Sequence, residues 1–329
     1  MSNTSLGPVN QQFDFDNIIN FRDVGKFVNR LCGSQILEEG VLFRSARMKL
    51  QKETDNAYQM SYILLVSLIF DLGNQLFISN CNAQVAVRNF KSDTKSAIPS
   101  TEHRMAAKKR MTEKSRIDVL KDAVDDVDPN VHLVQIPGAR RFLISLIGKD
   151  FERALLWRLG WWDVIKAAAW SASGYRDSAA KLVVREAMQP RGLIGLSRDK
   201  LDHSGYEMKD TFDVLADCNN YPVVIHCTQG KDRTGLIVLL LLLLTGVVPE
   251  EAMSADYVKS EPELRVELQE RLEEMHELGL SDDFAKCPAG YVADMKKYID
   301  SKYGGVEAYL LSIGINLKKQ ETIRKKLIA

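Results

Sequence analysis

The stretch from Tyr221 to Thr245 constrains this chain more than any other part of it. A branched run, Tyr221 to Ile225, ends at His226–Cys227. The segment Thr228–Gln229–Gly230–Lys231–Asp232–Arg233 follows, and Thr234–Gly235 then opens the apolar run Leu236 to Leu244. A short branched run of this kind reads as a strand covered on both faces. The run from Leu236, even extended past Thr245–Gly246 to Val248, falls short of the roughly 18–20 apolar residues that cross a bilayer. It is read as a helix inside the protein.

A strand, a tight loop and a helix in immediate succession make an anion cradle. The loop's N–H groups converge on one point, and the helix N-terminus adds its positive end. A cysteine at the mouth of that cradle is expected to have a lowered pKa and to exist as thiolate. Arg233 supplies a planar fork that matches two phosphate oxygens. A nucleophile beside a preformed oxyanion site is what phosphoryl transfer to sulfur requires. Taken singly, a His–Cys pair is an ordinary buried thiol and Lys–Asp–Arg a solvated charge run. Between a buried strand and a buried helix, with Gly230 and Gly235 in place, those readings fail.

The rest of the chain frames this segment. Lys plus Arg is 44 and Asp plus Glu is 44, and 45% of the 329 residues are hydrophobic. That is a globular composition with material for a core. It excludes a strongly basic nucleic-acid binder at the level of the whole chain. The five cysteines, Cys32, Cys81, Cys218, Cys227 and Cys287, are odd in number with no CxxC pair. Neither a disulfide framework nor a structural zinc site is expected. The N-terminus has no basic segment followed by an apolar one, so no signal peptide is read and a cytoplasmic location is expected.

Residues 1–16 read as a polar tail and 316–329 as a second tail. Between them, 17–315 read as a single domain. Asn20 to Gly25 and Val41 to Ala46 look like short strands, with Arg22 and Asp23 able to pair and fix a turn at Gly25. Tyr62 to Leu72 reads as a buried strand, 101–116 as a solvated helix and 132–137 as a strand. Residues 139–190 read as helical, with apolar positions from Phe142 to Trp162 near helical spacing. Every Trp lies there: Trp157, Trp161, Trp162 and Trp170. Their clustering fits an aromatic core between helices. The alternative is an apolar lid, or a surface in transient contact with a membrane. The order of elements, strands mixed with helices and then a helical final third, implies an α/β fold.

The segment HCTQGKDRTG resembles the HCX5R signature of the cysteine-dependent protein tyrosine phosphatases. More closely, it is similar to the atypical group called tyrosine phosphatase family 3. That group carries an HCxxGKDRTG loop, NFRDVG (here Asn20 to Gly25), an RSA segment (Arg44–Ser45–Ala46) and PRGL (Pro190 to Leu193). The family's DLR…TEH stretch is broken here. Asp71–Leu72 is followed by Gly73, and Ser100–Thr101–Glu102–His103 resumes only later. Residues 73–100 are therefore read as an atypical insertion.

The resemblance implies a phosphatase-like fold: a central, mostly parallel sheet flanked by helices, with 139–190 as a lid or side layer and Cys227 at the C-terminal end of a central strand. It implies that Cys227 attacks phosphorus. Arg233 and the N–H groups of Thr228, Gln229, Gly230, Lys231, Asp232 and Arg233 would bind the phosphoryl oxygens. Thr234 would hydrogen-bond the sulfur, and His226 would orient the loop. The Lys231 charge would suit a doubly charged monoester or a polyphosphorylated inositol ring. Asp232 is the favoured general acid and Asp199 the runner-up. Trp162–Asp163 looks like a WPD loop but lacks its Pro and reads as a helix surface. No metal or organic cofactor is implied. The expected function is a protein tyrosine phosphatase, with dual specificity in view. The alternatives are a phosphoinositide phosphatase of the same mechanism and a non-catalytic module that binds phosphorylated partners.

Overall fold

The structure is a computed structural model, and it describes residues 18–46, 64–69 and 141–329. Among these, five strands form one sheet: β1 (Arg22–Asp23), β2 (Leu42–Ser45), β3 (Leu64–Ile69), β4 (Arg141–Ser145) and β5 (Val223–His226). Their order is β1-β2-β5-β3-β4. Only β1 runs antiparallel to its neighbour. The fold is α/β, mainly helical around this small mixed sheet.

In chain order the described helices begin with α1 (Val24–Cys32), α2 (Lys149–Trp157), α3 (Trp161–Ala172), α4 (Arg176–Val183), α5 (Gly192–His203) and α6 (Gly205–Leu215). After β5 come α7 (Asp232–Thr245), α8 (Glu250–Val258), α9 (Ser260–Glu263), α10 (Leu268–Leu278), α11 (Tyr291–Tyr303), α12 (Val306–Ser312) and α13 (Leu317–Leu327).

β5 occupies the centre of the sheet: Val223, Val224 and Ile225 present apolar side chains to both faces, and all four of its residues are buried. It pairs in parallel with β2 and β3, so His226 lies opposite Ser45 on one side and Ser67 on the other. The next residue, Cys227, thus emerges at the carboxyl edge of the sheet, where open α/β sheets bind ligands. α7 runs back through the core, with twelve of its fourteen residues buried. A helix apolar all round can sit only inside a protein. The main core runs from Val24 to Leu327 and gathers α7 with residues of α1, α6, α8, α11 and α13.

Four expectations change. Asn20 to Gly25 is not a strand and turn: β1 has two residues, and α1 starts directly after it. Asp23 caps that helix by accepting from the Lys26 N–H and also accepts from Gly40 N–H. Gly25 is required by a close approach, since a Cβ there would lie 2.4 Å from the Glu38 carbonyl oxygen.

The segment 139–190 does not start as helix. Arg141–Ser145 is the edge strand β4, parallel to β3. Its branched and aromatic residues suit a strand as well as a helix, and the free sheet edge decides.

The tryptophans do not form a core. Trp157 is 88% exposed, Trp161 63%, Trp162 59% and Trp170 39%. α3 packs on α4 through Ala167, Ala179 and Leu182, and the tryptophans take no part in this contact.

Residues 316–329 are not a tail. They form α13, which buries Ile323 and Leu327 in the main core. Ile328 bridges Leu37, and Arg324 Nε donates to the Leu244 carbonyl at the end of α7.

The expected N-terminal tail, the insertion at 73–100, the helix at 101–116 and the strand at 132–137 lie outside the described residues. Among the described residues, no helix is long and apolar enough to cross a membrane.

Candidate active site

The site grows from the end of β5. Cys227 is buried, and the N–H of Gly230 donates to its Sγ at 3.2 Å. Gly230 holds a left-handed φ of +65°, and a Cβ there would lie 2.1 Å from the Ser45 carbonyl oxygen. Glycine lets the loop turn back over the sulfur while its backbone packs on the end of β2.

Burial pushes the Cys227 thiol up. The Arg233 guanidinium and the Thr234 side chain and amide outweigh burial, so the thiol is held below its ordinary range. The Thr234 hydroxyl is buried with no oxygen or nitrogen partner among the described residues. Its interaction is with the sulfur. Arg233 is buried, and its Nη2 donates to Thr228 Oγ1 at 3.1 Å, so the guanidinium spans the loop. By contrast, burial pushes the Cys287 thiol up to about 11. At Cys287 the Lys231 charge does not overcome burial, whereas at Cys227 Arg233 together with the Thr234 side chain and amide does, so two buried cysteines of one core differ in reactivity.

Asp232 opens α7, and its side chain is 30% exposed. It is the loop's carboxylate with access to solvent, and its Oδ1 lies 3.6 Å from Lys231 Nζ. Lys231 itself does not face the cradle. Its side chain is fully buried, and Nζ donates to the carbonyls of Phe284 at 2.7 Å and Lys286 at 2.9 Å. Its place in the loop is an anchor toward the segment before Cys287, not a hand held out to substrate. His226 is buried at the end of β5.

Asp199 lies on α5, buried, with both oxygens taken. Arg158 Nη2 and Arg191 Nη2 bind Oδ1, each at 2.7 Å, and Arg191 Nε binds Oδ2 at 2.9 Å. Arg191 belongs to the Pro190–Leu193 motif, so this pair fixes the entry to α5 and leaves no oxygen for a leaving group. Asp163 sits on the outer face of α3 and pairs with Lys166 at 3.3 Å, as a helix-surface residue does.

Several further residues support the loop, some from the sequence motifs and some from positions without a local mark. Arg44, fully buried on β2, donates from Nη2 to the Gly230 carbonyl at 2.6 Å and from Nη1 to Asp256 Oδ2 at 2.5 Å. Arg22 donates from Nε to Asp256 Oδ1 at 2.7 Å and from Nη1 to Asn20 Oδ1 at 2.5 Å. Asn20 in turn donates from Nδ2 to the Gln229 carbonyl at 3.0 Å. Asp256, on α8, is buried, and burial would raise its pKa. The two arginines overcome that and hold it low. Arg22 and Asp23 therefore do not pair with each other; Arg22 reaches across the molecule.

Arg271 on α10 donates from Nη2 to Gln229 Oε1 at 3.1 Å and to the Ala285 carbonyl at 3.2 Å. Lys200, buried on α5, is pushed down to about 8 by desolvation, against the attraction of Asp232. The motif residues Asn20, Arg22 and Arg44 were legible as motif members. Asp256, Arg271 and Lys200 were not, because their partners lie far away in sequence.

A model described as tyrosine phosphatase family matches residues 13–329. A tyrosine-protein phosphatase of Nostoc commune is 33% identical over 140 residues, covering 39% of this chain and 46% of that protein. A triple specificity protein phosphatase, PtpB, of Mycobacterium tuberculosis is 31% identical over 122 residues, covering 32% of this chain and 44% of that protein. In both, the aligned stretch spans less than half of the relative's own length. A match that runs from before the Asn20 motif to the last residue takes in the loop and everything that supports it, and on that basis the chain belongs to the tyrosine phosphatase family.

Proposed function

We propose that the protein is a phosphomonoester hydrolase acting on phosphotyrosine in proteins through a cysteinyl phosphate on Cys227. The supporting observation is the thiol itself. It is buried at the carboxyl edge of the sheet, contacted by an inward N–H, and held below its ordinary pKa beside Arg233.

In this reading the Cys227 thiolate attacks phosphorus and the bond from phosphorus to the leaving oxygen breaks. Arg233 and the loop N–H groups hold the phosphoryl oxygens as charge redistributes. Asp232, protonated, delivers its proton to the leaving oxygen. Water then attacks the cysteinyl phosphate, Asp232 takes a proton from that water, and the sulfur departs as thiolate. The Thr234 hydroxyl stabilises that departing charge.

Two points bear on substrate range. The relative PtpB carries triple specificity in its name, which favours acceptance of more than one phosphorylated residue. The Lys231 side chain, engaged by two carbonyls, gives no support to a polyphosphorylated inositol ring. Phosphotyrosine protein is therefore placed ahead of phosphoinositide.

The test is hydrolysis of p-nitrophenyl phosphate by the wild type and by Cys227→Ser, with EDTA present and folding followed by circular dichroism. Activity that vanishes in the variant is expected. A folded wild type without activity would overturn the enzyme reading in favour of a phospho-binding module. Phosphotyrosine, phosphoserine and phosphothreonine peptides, with phosphoinositide vesicles beside them, then rank the substrates.

A further inference from the structure

A trans peptide points its carbonyl and its N–H in opposite directions, so fixing one fixes the other. In the loop, the peptide between Gln229 and Gly230 is gripped from outside. Asn20 Nδ2 takes its carbonyl at 3.0 Å, and its N–H meets Cys227 Sγ at 3.2 Å. The next peptide is gripped in the same way: Arg44 Nη2 takes the Gly230 carbonyl at 2.6 Å and so turns the Lys231 N–H away from Arg44.

Both grips share one anchor. Asn20 is held by Arg22, and Arg22 and Arg44 each take one oxygen of Asp256. Ser260 Oγ accepts from both arginines, at 3.2 and 3.3 Å. Asn20, Arg44, Asp256 and Ser260 are each no more than 1% exposed. Asn20 adopts a φ of +56°, which asparagine tolerates better than most residues.

We propose that Asn20, Arg22, Arg44 and Asp256 are positioning residues that set the peptide planes of the loop before substrate arrives, Asn20 aiming the amide that meets the sulfur. The proposal rests on Cys227 being the nucleophile. Donors fixed in advance need no reorganisation when charge develops, and that is where their effect on the reaction comes from. Sequence distance hides the arrangement: 209 positions separate Asn20 from Gln229, and 212 separate Arg44 from Asp256.

The variant that isolates it is Asn20→Asp. It keeps the size, the acceptor for Arg22 and the tolerance of a left-handed φ. It removes the donor to Gln229 and sets a carboxylate oxygen against that carbonyl. Two readouts need no turnover: the rate of iodoacetate alkylation at Cys227 against pH, followed by mass spectrometry of its peptide, and the affinity for vanadate. We expect the alkylation midpoint to move up by about 1 pH unit and vanadate affinity to fall about tenfold or more, with the circular dichroism spectrum of the folded protein retained. An unchanged midpoint with unchanged vanadate affinity would overturn the proposal. Should Asn20→Asp fail to fold, Arg44→Lys keeps the charge opposite Asp256 but loses the fork. It is read in the same way, with the same overturning result. Because neither readout depends on hydrolysis, loss of the proposed activity and failure of this brace are separate results.

Discussion

Cys227 is a buried thiol, and burial by itself favours the neutral form. Arg233, Thr234 and the Gly230 N–H reverse that preference over a distance of a few ångströms. Asp232 and Asp199 show the same locality from the other side. One is a partly exposed carboxylate at the start of α7, the other a carboxylate with both oxygens engaged by arginines. The proposed mechanism accordingly assigns the proton transfer to the first. Asp232→Asn is therefore expected to lower kcat by about 10²–10⁴ on an alkyl or tyrosyl phosphate. The loss on p-nitrophenyl phosphate should be smaller, because its leaving group needs little protonation. Steady-state kinetics on both substrates checks this; equal losses on the two would remove Asp232 from the role of acid. Asp199→Asn, in contrast, should act mainly on stability.

At the scale of elements, exposure predicts which residues matter. The tryptophans of α2 and α3 face outward and Ile323 of α13 is fully buried. Replacing Trp157 by Gln should shift stability by no more than about 0.5 kcal/mol. Ile323→Ala should cost about 2–5 kcal/mol, the range for a buried aliphatic truncated to alanine. Denaturant titration of the two variants makes the comparison, and a large effect at Trp157 would mean that its ring is covered in solution. The contrast inverts the reading from sequence. Aromatic density suggested a core and the charged C-terminus a tail, but packing follows the available surface. α13 leaves Leu317 exposed but buries Ile323 and Leu327, four residues apart, in the main core with α7.

Across the whole molecule, the Arg22–Asp256–Arg44 group joins β1 and β2 to α8, and through Asn20 and Gly230 to the loop. Its carboxylate is held below its ordinary value of about 3.9. The sign follows from linkage. The stabilisation is fully present above about pH 4 and is lost as pH falls through the depressed folded-state value. Asp256→Asn leaves two arginines without their carboxylate and should cost about 3–5 kcal/mol at neutral pH. Its stability should then vary less than wild type with pH below about 4. Urea melts from pH 7 down to pH 3 test both parts, and parallel curves for wild type and variant would show that Asp256 is not the group titrating.

The sequence by itself determined what depends on neighbours along the chain. β5, the loop with Gly230, α7 and the pairing of Cys227 with Arg233 lie within 25 residues, and their pattern of apolar runs and loop residues admits one local structure. Tertiary structure decided what depends on distant partners. β4 became a strand because β3 offered an edge, and Gly25 is required by Glu38 rather than by a turn. Lys231 was drawn from the cradle by carbonyls of Phe284 and Lys286, and Arg22 found its carboxylate 234 positions away. A buried cation goes to whichever acceptor the folded chain brings within reach, and no local pattern records which one that will be.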